Sequence, residues 1–226
     1  MSSVAQLAVE QFRTRIDHAL FPCVGAKSAL ATDNMRFLLA GDLRQGSHDG
    51  AVVAQLQAFA ATMPGDALFI SQVVLFPETP ALDELRFEQA LWQRLQALHE
   101  VDAAEYAWDA SVSDDPQSAQ FSLSLGGRGY YVIGLHPGAS RPARRFDCAA
   151  LVFNLHSQFE TLRADGRYDK LRAAITERDT AYSGSPNPML ATHGEASEAR
   201  QYSGRQVDAA WRCPFSAAAR ERVDGA

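Results

Sequence analysis

Apolar residues recur at helical spacing at Val4, Leu7, Ala8, Phe12, Ile16 and Leu20, with Gln, Glu, Arg and Asp between them, which predicts an amphipathic helix within residues 1–20. The run from Phe21 to Leu30 reads as a turn or loop, and Arg36 to Ala40, centred on Phe37-Leu38-Leu39, as a buried strand ended by Gly41-Asp42. Val52, Val53, Leu56, Phe59 and Ala60 return to helical spacing. Leu68 to Phe76 is a second strand, and Leu82 to His99 a further helix through Leu85, Leu91, Trp92, Leu95 and Leu98. The first hundred residues therefore read α-β-α-β-α.

The period then changes. Phe121-Ser122-Leu123-Ser124-Leu125 alternates, Gly126-Gly127-Arg128-Gly129 supplies a turn, and Tyr130 to Leu135 is a second run, together a β-hairpin. Ala150 to Leu155 reads as another strand, and Gln158 to Tyr182 as a helix or broken helix with Gly166 as its weak point. From Ser183 onward, Ser-Pro-Asn-Pro, His193-Gly194 and Ser203-Gly204 interrupt every period, which leaves a loop-rich C-terminal tail. The expected architecture is α+β: one domain over 1–226, with a mainly antiparallel sheet and helices packed on it.

With 226 residues, 46% hydrophobic and 21% charged, the chain has the balance of a soluble globular domain. Its first residues match neither a signal nor a transit peptide. The longest apolar run, Ala67 to Phe76, is far short of the roughly 20 residues of a membrane helix. The expectation is a cytoplasmic protein with no membrane partner. A net charge of −6 argues against a general nucleic-acid surface and in favour of a small-molecule partner. Sheet edges and the apolar first helix leave a homodimer open.

The chemistry concentrates in Gly134-Leu135-His136-Pro137-Gly138-Ala139-Ser140-Arg141-Pro142-Ala143-Arg144-Arg145, where an imidazole precedes three guanidiniums on a loop after a strand. Imidazole binds metals or moves protons, and guanidinium grips carboxylates or phosphates. His156 likewise closes an apolar run, Leu151 to Leu155. If the two strands are neighbours, both imidazoles are expected at the same end of the sheet, and satisfied core histidines are the competing reading. His18 and His99 read as helix-surface residues, His48 as a loop residue, and His193 in the tail stays undecided.

Cys23, Cys148 and Cys213 form no CxxC pair, so neither a disulfide framework nor a thiolate zinc cage is indicated. Cys23 reads as a small buried hydrophobe or a thiolate favoured by Lys27. Cys213-Pro214, just after Trp211, is a second candidate thiolate, and Gln201-Tyr202-Ser203-Gly204-Arg205 adds a phenol and a guanidinium. Gly25-Ala26-Lys27-Ser28 fails the phosphate-loop pattern, because Ala26 and Phe21 stand where glycines are needed. Neither a His-Glu-x-x-His pair nor a Gly-x-Ser-x-Gly elbow occurs.

Several blocks together resemble the YqcI/YcgG family. They are Phe21-Pro22-Cys23-Val24-Gly25-Ala26-Lys27-Ser28, Gly134-Leu135-His136-Pro137 with Ser140-Arg141 and Arg144, Phe153 to Glu160 with Leu162-Arg163, Asn187-Pro188-Met189-Leu190, Gln201 to Arg205, and Cys213-Pro214-Phe215. The resemblance implies a haem protein, since characterised members of the family are haem-dependent N-hydroxylases of guanidino groups. It implies haem b, a small arginine-like guanidino or amino substrate, and dioxygen with an electron donor, or peroxide.

Within that implication, His136 is the first choice of axial ligand, with His156, Cys23 and Cys213 as alternatives. Arg141, Arg144 and Arg145 are expected to pair with the haem propionates, Arg205 to bind the cofactor, and Trp211 and Tyr202 to flank it. His156 and Tyr202 are candidate catalytic groups, Phe153 could flank the porphyrin, and Glu160, Glu195 or Glu198 could hold a cationic substrate. A non-catalytic sensor or carrier with both histidines on the iron is the alternative. A cofactor-free metabolic protein is the third reading.

Overall fold

The computed structural model describes residues 3–64, 67–190 and 196–217. Helix α1 (Ser3–Asp17) is followed by α2 (Val24–Ala31), β1 (Met35–Leu39), α3 (Asp49–Thr62), β2 (Ser71–Phe76), α4 (Glu84–Asp102), β3 (Leu123–Leu125), β4 (Arg128–Leu135), β5 (Ala149–Leu155), α5 (His156–Ala164) and α6 (Tyr168–Ser183). The five strands form one sheet in the order β1-β2-β5-β4-β3. β1 and β2 are parallel, joined through α3, and the remaining pairings are antiparallel. The expected α+β class with a mainly antiparallel sheet is what the chain adopts. Among the described residues no helix is long and apolar enough to cross a membrane.

Period-two alternation sorts the sheet's side chains into two cores. Val74, Phe76, Tyr130, Val132, Leu151, Phe153 and Leu155 face α3 and α4, where Leu56, Phe59, Phe87, Leu91, Trp92 and Leu95 close over them. Val73, Leu75, Leu135, Ala150 and Val152 face the other way, toward Ala8, Phe12 and Ile16 of α1, with Phe21, Ala29 and Phe146. α1 thus buries one i, i+4 row and leaves Val4 and Leu7 in solvent, and it ends at Asp17, short of the exposed Leu20. Residues of β5 are buried along its whole length, as a central strand covered on both faces requires.

Local chemistry explains most element ends. Gly126 and Gly127 both have positive φ (59° and 68°), the geometry of a two-residue primed hairpin turn, so the turn is shorter than the four residues expected and Arg128 and Gly129 join β4. The break falls at the expected weak point: Gly166, at φ 66°, separates α5 from α6. Asp83 caps α4 through its side chain.

Two expectations needed correction at this level. The Phe21–Leu30 stretch is not all loop, because Cys23 caps a short helix whose Ala, Leu and Lys residues favour it. His99 is buried, not on the surface: its Nε2 lies 3.3 Å from the Ala217 carbonyl, and its ring lies against Trp108 and Phe215.

Candidate functional site

The second face of the sheet is incompletely filled. Tyr131, Ile133 and Leu135 of β4 and Val152 and Asn154 of β5 floor a cavity of about 310 Å³, walled by Cys23, Gly25 and Ala26 at the start of α2. Gln158, Phe159 and Leu162 of α5 and Leu171, Ile175 and Asp179 of α6 complete its sides. The wall is mostly apolar with a few placed polar groups, and the volume falls in the usual range of roughly 300–1,000 Å³ for small-molecule sites.

Cys23 is delivered by the loop between α1 and α2. Its Sγ accepts the Ala26 backbone N–H at 3.4 Å as the N-cap of α2. Burial pushes the thiol above its ordinary value, and the N–H groups of Ala26 and Gly25 and the charge of Arg144 pull it partly back. A sulfur aimed at by helix N-terminal N–H groups is prepared to carry negative charge once something compensates its burial. Among the described lining residues it is the one cysteine, and none of them is a histidine.

The three loop arginines are spent on building the wall. Arg141, half-buried, pairs with the buried Asp179 (2.9 and 2.5 Å) and donates to the Ser185 carbonyl (2.8 Å). Arg144, its charge disfavoured by burial, donates to the carbonyls of Gly134 (3.0 Å), Tyr202 (3.3 Å) and Gln201 (2.9 Å). Arg145 donates to the carbonyls of Ala139 (2.9 Å) and Ser140 (3.0 Å). Arg141 and Arg144 do reach the cavity, but the expected grip of all three on an anionic cofactor gives way to these intramolecular partners. Gly204, at φ 82°, packs against Arg144 so closely that a Cβ there would lie 3.3 Å from its Cγ.

The histidines fall elsewhere. β4 and β5 are neighbours, as assumed, but antiparallel, with Tyr130 opposite Leu155 and Leu135 opposite Ala150. His136 and His156 therefore leave the sheet at opposite ends, separated by on the order of 20 Å at ~3.4 Å per residue. Two imidazoles on one iron do not fit that separation. His136 is buried and stacked face to face on Phe87 (4.0 Å, 12°), and its Nδ1 finds no hydrogen-bond partner among the described residues. Burial lowers its proton affinity, with Glu84 and the Leu82 backbone acting in the opposite sense. Being absent from the cavity wall, it is not placed to ligate anything held there.

His156 begins α5, with Ser122 Oγ 2.9 Å from Nδ1 and Glu160 Oε1 3.1 Å from Nε2. Serine, imidazole and carboxylate in a row resemble a hydrolytic relay, but Ser122 is wholly buried and no substrate carbonyl can reach it. Glu160 also pairs with Arg163.

The remaining candidates belong to the opposite face. Tyr202 is fully buried and donates to the Tyr130 carbonyl (2.9 Å). Arg205 (2.7 Å) and Trp211 Nε1 (3.2 Å) both donate to Glu88 Oε1. Cys213 is buried, with its thiol pushed up to about 12. Phe153 points into the α3–α4 core. His193 and Glu195 lie outside the described residues.

Sequence reasoning missed several wall residues. Tyr131 donates to Gln201 Oε1 (3.3 Å), and burial raises its phenol. Asn154 Oδ1 accepts from Ser71 Oγ (2.7 Å), and Gln158 bonds both backbone groups of Ile70 (3.2 Å each). A signal existed: Asn154 interrupts an otherwise apolar central strand on the face shared with Tyr131. The carboxylates among the described lining residues are Asp179 and Glu198.

Fold and site together define an α+β protein with a mostly apolar cavity on one sheet face, bordered by a helix-capping thiol and half-buried arginines. The YqcI/YcgG family profile matches residues 12–216, and the chain belongs to that family. It is similar to the uncharacterized protein YcgG of Bacillus subtilis (strain 168), 26% identical over 213 residues, 88% of this chain and 82% of that protein. It is also similar to the uncharacterized protein YqcI of the same organism, 26% identical over 205 residues, 86% of this chain and 80% of that protein. No solved structure matches.

Proposed function

We propose that the protein is a cytoplasmic haem b-dependent monooxygenase that N-hydroxylates a small arginine-like guanidino or amino compound, with the haem in this cavity and Cys23 as its protein ligand. The observation that carries the reading is Cys23 Sγ on the cavity wall under the N–H groups of α2. Bound there, the haem would supply oxygen activation, using dioxygen and an electron donor or peroxide, and thiolate ligation favours O–O cleavage.

The chain's own groups divide the remaining work. Cys23 would hold the haem iron through its sulfur, and the N–H groups of Ala26 and Gly25, which already oppose the effect of burial on the thiol, would stabilise a thiolate there. Ile133, Val152, Phe159 and Leu171 keep water from the wall, and Glu198 offers a carboxylate toward a cationic substrate. The Tyr131 phenol, kept protonated by burial, holds Gln201 in place.

The test is turnover. Haem-loaded protein given reductant and a panel of guanidino and amino compounds is expected to release product heavier by one oxygen, drawn from isotope-labelled dioxygen. Glu198→Gln should raise KM for the cationic substrate more than it lowers kcat. Tight haem and carbon monoxide binding without product from any compound would favour the non-catalytic haem-binding reading.

A further inference from the structure

The sheet face opposite the cavity contains a line of oxidisable rings that leads out of the cavity. Tyr131 lines the cavity and meets Tyr202 edge to face at 5.5 Å. Tyr202 stacks on Trp92 at 5.5 Å and 13°, and Trp92 lies 6.3 Å from Trp211, which is half-buried at the surface. The line passes the sheet where β3 stops. Because β3 pairs only with Arg128–Tyr130, the β4 edge beyond is covered by the chain at Tyr202, whose carbonyl accepts the Gly134 N–H at 2.7 Å.

The proton partners of these rings differ along the line. Trp92 Nε1 is buried and finds no acceptor among the described residues, so an oxidised Trp92 cannot easily shed its proton and stays a strong oxidant. Trp211 Nε1 donates to the Glu88 carboxylate, which can take the indole proton. Electron transfer weakens exponentially with distance, so several short steps between rings outrun one long step. The ring that can lose its proton to a base is where an oxidising equivalent settles.

We propose that Tyr131, Tyr202, Trp92 and Trp211 form a hole-transfer relay that carries oxidising equivalents from the cavity to the surface when oxygen activation is not matched by substrate. The relay rests on the haem reading above. In each event one electron would move inward from Trp211 through Trp92, with the Tyr202 and Tyr131 rings as the contacts that bridge to the cavity, and an oxidised haem bound there would accept it. The Trp211 indole proton passes to Glu88, and an external reductant at the surface restores the ring.

The experiment treats haem-loaded protein with peroxide in the absence of substrate and maps oxidised side chains by peptide mass spectrometry, with haem absorbance followed in parallel. Oxidation should concentrate at Trp211. Trp92→Phe should reduce Trp211 oxidation several-fold and speed haem bleaching, and Trp211→Phe should move oxidation back to Trp92 and the tyrosines. Both variants must retain the wild-type haem band, and the surface site keeps the test alive if Trp92→Phe does not fold. Trp211 oxidation unchanged in Trp92→Phe, or, should that variant not fold, Trp211→Phe leaving oxidation at Trp92 and the tyrosines at its wild-type level, would overturn the relay and leave the haem reading intact. No haem band in any preparation would overturn both.

Discussion

The two faces of one sheet are built to different standards. Against α3 and α4, strand residues meet Leu91, Leu95 and Phe87 with no exposure at all, and the rings of Trp92, Tyr202, Phe121 and Phe215 fill the remaining space. Against α2, α5 and α6, the same strands border a cavity of about 310 Å³, and the elements around it are held by polar ties such as Arg141–Asp179 and Arg144 on three carbonyls. Close packing secures stability but leaves no space for a ligand. A fold that needs both can place them on opposite sides of a central strand such as β5, and charged and hydrogen-bonded struts then brace the cavity side where apolar packing is interrupted.

That contrast can be broken most severely at a strut. Asp179→Asn leaves the half-buried Arg141 guanidinium without its counter-charge and should cost about 3 kcal/mol in urea unfolding. Leu91→Ala, on the packed face, should cost about 2–5 kcal/mol because the hole cannot collapse. Leu171→Ala, on the cavity wall, should cost only about 1 kcal/mol, since its side chain already borders open space. Equal losses at Leu91 and Leu171 would contradict the division of labour.

A smaller effect comes from His136. Burial lowers its pKa below the ordinary 6.5, so the unfolded chain binds the proton more readily than the folded one. Stability contributed by the neutral ring is complete above about pH 6.5 and declines as pH falls through that value toward the lower folded pKa. His136→Gln should flatten the slope of unfolding free energy against pH across that window.

Much of the fold was legible in the chain. The two glycines of the hairpin, the helical spacing of α3 and α4 and the break at Gly166 each rest on local rules that tertiary context did not override. The direction of β5 was the costly omission, because it decides where His156 lies relative to His136. A parallel partner would have needed a crossover, usually a helix, whereas residues 136–148 carry two prolines, a glycine and no helical period, which points to an antiparallel return. The arginines were legible as a cluster but not their partners, since Asp179 and the Gln201 and Tyr202 carbonyls are distant in sequence. Cys23 was read as one of several thiols and set apart only by the cavity beside it.

The smallest change in stability is also the one that tests the central claim. Cys23→Ser keeps an N-cap oxygen for α2 and should shift unfolding by less than about 1 kcal/mol. The decisive measurement is the absorption spectrum of haem-loaded protein, reduced and under carbon monoxide, for the wild type, Cys23→Ser and His136→Ala. The account predicts the long-wavelength carbon monoxide band of thiolate-ligated haem in the wild type and in His136→Ala, and its loss in Cys23→Ser. A band of the histidine-ligated type that persists in Cys23→Ser and disappears in His136→Ala would contradict it.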